Sequence, residues 1–550
     1  MKNMINNFFY NDWSKSIINW WISINPIYKK SAIILFVLAN IIFAYNTINF
    51  MWGNHEWPYV VGNVPYDYSF YEDRITEKWE FILFNDQFLP IVFSVFQILG
   101  MTLGAIALAY YWKIPKTILN YVLFGLFIIS IPFNMINFFH PSFFDWNLFF
   151  IVSAYIIYEK THNKRYSLIY QIIPILFLFQ AVNAYPSSIN TVLLIFVGRI
   201  VIDYIFENQT IKESVKKYWI LLADIIITMF LMKISLLILQ SMNRLSVNFY
   251  NIQTIGIKDI FTKFIEIIPY MFVQFTQTYP FITGFYHYEL NLICVLGLII
   301  LLVYTYKKCI KTFIFTIISL LVLLLTTEAA IYISANTEQM QYLARIVRCG
   351  LMYIYVFSVA IAMIVSNNKI WLKNIILTIL IIITWHGAMN EIYAQKVFKM
   401  GYDAEMRSWD NVVQGIIDTG LLDYEKYYNL YVIGDIEMRQ KYYTDKDYSN
   451  ADVSLVHWSF TAHWLLYHFF KVRYPQFNLR NVVSAQIIND HGFNEGFYAK
   501  EWILYRAEVF PKANSIYIDD DTIIVVLNKN HLEAVKQRII NDEKRIKNIE

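Results

Sequence analysis

The sequence has little charge: Lys, Arg, Asp and Glu make up 16% of its 550 residues, against roughly 25% in an ordinary soluble protein. That shortage excludes a solvated surface spread over the whole chain. No run of five or more basic residues occurs and the formal net charge is only +3, which sets nucleic acid aside as a partner. Cysteine is scarce as well. Cys294, Cys309 and Cys349 each lie in or beside an apolar run with no CxxC pair, so neither a zinc site nor a disulfide framework is indicated. Internal repeats and low-complexity tracts are also missing.

What is abundant is apolar residues, at 57% of the chain with a mean hydropathy of +0.40. A bilayer core about 30 Å thick needs about 20 apolar residues in a helix. Applied along the chain, that length predicts helices near 31–50, 88–111, 117–136, 146–159, 167–183, 189–206, 218–241, 290–306, 312–334, 349–367 and 372–387. The expected fold is therefore mostly α: a polytopic membrane domain of about 11 transmembrane helices over 31–387, after a cytoplasmic segment 1–30. Lys2, Lys15, Lys29 and Lys30 precede the first run without a short apolar stretch and a small-residue cleavage site, so the first run reads as a retained helix.

Lys and Arg concentrate in loops on the cytoplasmic side, which orients the helices. With the N-terminus inside, 17 basic residues fall in six short inner stretches, including Lys113, Lys116, Lys160, Lys212, Lys217, Lys307, Lys308, Lys369 and Lys373. The longer outer stretches up to residue 350 hold only Arg74, Lys78, Arg244, Lys258, Lys263, Arg345 and Arg348. Residues 264–288 are long enough to span, but Glu266, Pro269, Gln274, Gln277 and Pro280 favour an interfacial or re-entrant outer segment. The region 388–550 is then extracytoplasmic. There 427–436 and 521–529 read as buried strands, and 457–470 and 531–547 as helices, giving a small C-terminal α/β domain.

Chemistry-bearing residues gather on the outer side. The first outward loop, 51–87, carries Glu56, Asp67, Glu72, Asp73, Glu77, Glu80 and Asp86 against Arg74 and Lys78. Many such acids simply solvate a loop, but Glu56 comes five residues after the first apolar run, flanked by His55 and Trp57 at the membrane surface. Partial desolvation there raises a carboxyl pKa and suits it to act as a base. Arg345 and Arg348 share one helix face by their spacing where the tenth run begins. Guanidinium forks bind phosphate bidentately, although snorkelling is the common use of Arg at helix ends. Arg244 and Lys258 are further outward cations. A carboxylate base and a cationic clamp, both outward, point to chemistry on a phosphate-bearing lipid at the outer membrane face.

In the order of its parts the chain resembles the type II O-antigen glucosyltransferase (Gtr) family of bacteria and their phages, polytopic enzymes of the GT-C class. The resemblance rests on "NHEWPY" directly after the first helix, "EDRITEKW" some fifteen residues later, "FLPIVFSVFQILGMTLGAIALAYYW" as the second helix, and "LFQAVNAYPSSINTVLLIF" at 177–196. It covers roughly 31–206, and later parts agree in plan only. It implies a glycosyltransferase of a bacterial inner membrane that moves a sugar, often glucose, from a polyprenyl-phosphate donor to a lipid-linked or surface glycan such as O-antigen, decorating lipopolysaccharide in the periplasm. A donor synthase and a flippase would be its functional partners. Carried over residue by residue, the family's acid falls on Glu56, its basic residue on Arg74 and its loop aromatic on Trp79. The family's paired acids and its Gly before the Arg are absent, since His55 precedes Glu56 and Asp73 precedes Arg74. Glu72 and Asp73 therefore remain alternative bases, and by analogy with some GT-C relatives that pair could hold a divalent cation, Mg or Mn. No other metal site is expected.

Other features have plainer readings. Asp224 and Lys233 in the seventh run are expensive in lipid and should face the bundle or each other. Asp519, Asp520 and Asp521 look like a turn, and His457, His463 and His468 like packing residues. An O-antigen polymerase or ligase would also be polytopic and outward-acting, and a lipid-linked-sugar flippase is the non-enzymatic alternative. The flippase would want polar residues along a central path, and these are sparse.

Overall fold

The computed structural model describes residues 19, 22–49, 90–131, 146–162, 170–184, 188–207, 209–241, 286–327, 349–434, 462–484 and 501–547. Eleven helices precede the first strand among them: α1 (Pro26–Ile48), α2 (Pro90–Tyr111), α3 (Ile118–Ile129), α4 (Asn147–Thr161), α5 (Ile172–Ala184), α6 (Ser188–Phe206), α7 (Ile211–Ser241), α8 (Tyr286–Lys308), α9 (Ile310–Thr326), α10 (Cys349–Ser366) and α11 (Ile370–Asp418). Each falls on one of the apolar runs. Among the described residues, six helices are long and apolar enough to cross a membrane: α1, α2, α6, α7, α8 and the first half of α11. The apolar helices α3, α5, α9 and α10 are shorter, so the chain is a mostly helical, membrane-type protein.

Local signals set the helix starts. Asn25 accepts a hydrogen bond from the Ile27 amide (2.9 Å) ahead of Pro26, and Thr117 accepts one from the Asn120 amide (3.2 Å). Both satisfy an amide that the helix itself cannot.

Contacts between helix ends sort the bundle into two poles. At one pole, Tyr28 packs on Tyr110 and Tyr121, Lys116 lies over Tyr28 and Lys160 over Tyr110. Lys113 and Lys217 reach Asp203 there, and Lys308 donates to the Ile205 carbonyl. The basic stretches that the sequence sorts to one side thus cluster in space. Helices α8 and α10 run parallel, with the Tyr355 hydroxyl donating to Asn291 and Cys294 beside Ser358, so the α10–α11 turn with Lys369 lies at this pole too.

Helix α11 is 49 residues long and runs unbroken past residue 387. Its second half supports a four-stranded sheet of order β2-β1-β4-β3, built from β1 (Tyr428–Ile433), β2 (Leu479–Ser484), β3 (Ile516–Asp519) and β4 (Thr522–Val526). Strands β1, β2 and β4 are parallel and β3 returns antiparallel. Side chains alternate across the sheet as the pleat requires. Leu430, Val432, Ile523 and Val525 meet Trp409 of α11 and Phe469 and Phe470 of α12 (Ala462–Arg473). Tyr431, Ile433, Ile524 and Val526 meet α13 (Glu501–Arg506) and α14 (Lys529–Lys547). Arg473 forks Asp410 (Nη2 to Oδ2, 2.9 Å), tying α12 to α11. Burial opposes ionisation of Asp410, but the bonds from Arg473 and Tyr474 outweigh it and hold this carboxyl below its usual range. Asp519 to Asp521 form the β3–β4 turn, with Asp520 at φ +49°.

Gly434 ends β1 at φ +102°, and a Cβ there would lie 2.7 Å from the Asn528 backbone nitrogen. Gly434→Ala should therefore destabilise the sheet domain by about 1–3 kcal/mol. Limited proteolysis in urea checks this, with earlier cleavage C-terminal to α11 as the expected result.

Candidate functional site

At the basic pole, Arg199 of α6 lies at the centre of a neutral network. Its side chain meets Glu159 of α4 (Nη2 to Oε1, 3.1 Å) and the Tyr111 carbonyl at the end of α2. Asp203, fully buried, accepts from Lys217 (2.7 Å) and the Tyr218 hydroxyl. Its other oxygen lies 3.3 Å from Arg199 and 3.4 Å from Lys113, without hydrogen-bond geometry, so charge holds it. Lys113 also pairs with Glu207. Burial holds the Lys113 ammonium below its ordinary value, with Arg199 adding to this and Asp203 opposing it. Three cations thus balance three carboxylates and join α2, α4, α6 and α7. This arrangement is a clamp: each buried charge already has its partners, which leaves it little chemistry to offer.

The opposite pole is polar in a different way. Glu391 of α11 is 1% exposed. Its Oε1 accepts from Gln395 (3.2 Å), whose amide also donates to the Ile42 carbonyl of α1 (3.1 Å). One turn earlier, Gly387 lets α11 approach the Tyr286 hydroxyl of α8, which donates to the Ser130 carbonyl at the end of α3 (3.4 Å). His386 pairs with Glu289 (2.7 Å) across the same junction. The far ends of α1, α3 and α8 therefore converge on α11.

Towards the same pole, α8, α9 and α10 line an open apolar cavity of about 380 Å³. Val295, Leu298, Leu323, Leu324 and Phe357 line it, with Asn291 as its polar member. Ile354 in the first half of α10 also lines it.

His55, Glu56, Trp57, Glu72, Asp73, Arg74, Trp79, Arg244, Lys258, Arg345 and Arg348 lie outside the described residues, as do His457 and most of 264–288. No family model, curated protein or solved structure matches the chain. The site must therefore be argued from the helices that carry these segments. The Glu72–Asp73 pair falls outside the described residues, and among the described ones no group of three or more acids, His or Cys is placed to hold a metal.

One expectation changes within the bundle. Asp224 faces inward at 2% exposure, whereas Lys233 is exposed on the apolar outer side of α7, and no ion pair joins them. Nine residues is two and a half helical turns, which places the two on opposite faces. The predicted helix 457–470 is described only from Ala462, as α12. Sequence reading passed over Arg199 with Asp203, and Glu391 with Gln395. The available signal was their i, i+4 spacing, which puts both members of each pair on one helix face.

Proposed function

We propose that the protein is a GT-C-type glycosyltransferase of a bacterial inner membrane, similar in plan to the type II O-antigen glucosyltransferases. In this reading it crosses the bilayer eleven times, with its N-terminus cytoplasmic and its sheet domain periplasmic. It moves a sugar, taken to be glucose, from a polyprenyl phosphate to a surface glycan. The observation that carries the reading is the asymmetry of the bundle: the basic pole is closed by a neutral clamp, while the opposite pole combines buried polar side chains with a nearby apolar cavity. A donor with a polar head and an isoprenoid tail fits that combination.

Glu56, with Glu72 and Asp73 as rivals, takes the proton from the acceptor hydroxyl. The acceptor oxygen then bonds to the anomeric carbon as the bond from that carbon to the phosphate oxygen breaks. The departing polyprenyl phosphate is neutralised by Arg345 and Arg348, which precede α10 in the sequence, with Arg74, Arg244 and Lys258 as further cations. His55, Trp57 and Trp79 contact substrate. The prenyl chain would lie in the cavity between α8, α9 and α10.

Leu323→Trp, which fills that cavity, should raise the donor KM about tenfold with little change in kcat. Losing burial of about two methylenes at about 0.8 kcal/mol each is enough for this. An unchanged KM removes the cavity from the donor site. The function itself is tested by deleting the gene and analysing the surface glycan. Decoration should disappear while chain-length distribution stays the same; altered chain length would indicate a polymerase or ligase instead.

A further inference from the structure

Lys116 and Lys160 are exposed cations at the basic pole that the clamp does not use. Neither has a hydrogen bond or an acidic partner among the described residues. Their contacts are with rings instead: Lys116 Nζ lies 5.0 Å from the Tyr28 centroid and Lys160 Nζ 6.0 Å from the Tyr110 centroid. Tyr28 and Tyr110 meet edge to face at 5.5 Å, so the two ammonium groups belong to one surface where α1, α2 and α4 end. Glu159, the acid next to Lys160 in sequence, is turned into the clamp and meets Arg199, Lys217 and Tyr218 there. A ring face attracts an ammonium but carries no net charge. Each lysine therefore keeps its charge and its N–H donors for an anion.

The surface is held in shape before any ligand arrives. Tyr121, 2% exposed, packs on Tyr28 at 5.3 Å and shares a hydroxyl hydrogen bond with it, while Tyr110 stays 40% exposed. Away from this pole the outer side of α1 continues with exposed Ile33, Val37 and Ile41, along which hydrocarbon can lie.

We propose that Lys116 and Lys160 hold the phosphate headgroup of an anionic phospholipid, in the leaflet at the basic pole, against the Tyr28–Tyr110 pair. Basic side chains at the ends of membrane helices take up such headgroups. A lipid suits the position better than a free anion, because its acyl chains cover the apolar side of the helices while its phosphate meets the lysines. The inference needs only the membrane-type bundle and is independent of the transferase reading.

The test uses full-length protein in nanodiscs of phosphatidylcholine with a graded fraction of phosphatidylglycerol, and native mass spectrometry reads which lipids stay bound. The native protein should retain phosphatidylglycerol in preference to phosphatidylcholine. Each lysine near an anionic headgroup contributes about fivefold, so Lys116→Gln with Lys160→Gln should weaken that preference about 25-fold and Lys160→Gln alone about fivefold. Lys116→Arg with Lys160→Arg should keep it. Lys307→Gln with Lys311→Gln removes the same charge from the α8–α9 turn at this pole and should leave the preference unchanged. An equal loss in that control pair would mean diffuse surface charge and overturns the site, as would an unchanged preference in the Lys116 and Lys160 glutamine variants or no preference in the native protein. Inorganic phosphate at constant ionic strength should not displace the lipid. Displacement would make this a free-anion site, and the lipid assignment would fail.

Discussion

Glu56→Gln should lower sugar transfer by about 10²- to 10⁴-fold, the usual contribution of a positioned general base, with protein level and donor KM unchanged. The amide keeps the size of the side chain and removes its ability to take a proton. Glu72→Gln and Asp73→Asn serve as controls, since both acids stand in the same first loop. A loss confined to Glu56 assigns the base. A loss confined to either of the other two moves it down the loop. Full activity in all three variants refutes first-loop catalysis and with it the role given to residues 51–87.

Asp203→Ala should destabilise the bundle by about 3–5 kcal/mol, because removing one member of a buried pair leaves its partners charged and uncompensated. Here the stranded groups are Arg199 and Lys217, with Lys113 losing part of its field. Arg199→Met combined with Asp203→Leu should recover most of that loss, since the remaining Lys217–Glu159 and Lys113–Glu207 pairs stay balanced. Thermal unfolding in mild detergent measures both variants. Equal stability of Asp203→Ala and the native protein would mean that water reaches the clamp and screens it.

The two predictions concern opposite poles, and the poles were unequally legible in the sequence. Helix positions follow from long apolar runs, so α1 to α11 were readable from the sequence, and the clustering of Lys113, Lys160, Lys217 and Lys308 agrees with the loop charges. Strands β1 and β4 were readable because short apolar runs end in turn residues such as Gly434 and Asp521. Strand β2, "LRNVVS", was not, because Arg480 and Asn481 interrupt its apolar pattern. The clamp was invisible for a different reason. Arg199 and Asp203 share a face of α6, but Glu159 lies in α4 and Lys217 in α7, and only the packing of α4 and α7 against α6 brings all four within 3.4 Å. Glu391 was missed because α11 continues well past the last apolar run, and hydropathy does not signal a helix that leaves the membrane and carries on into a soluble domain. The outward-loop candidates come from sequence alone, from the position of Glu56 beside α1 and of Arg348 beside α10.

The most direct test of the outward transferase reading is a donor-consumption assay on purified protein in lipid. Polyprenyl-phosphate sugar and a glycan acceptor are supplied on the face that carries the sheet domain. The account predicts release of polyprenyl phosphate with matching gain of sugar on the acceptor, and none when donor is confined to the opposite face. Movement of intact donor across the bilayer without cleavage would contradict it.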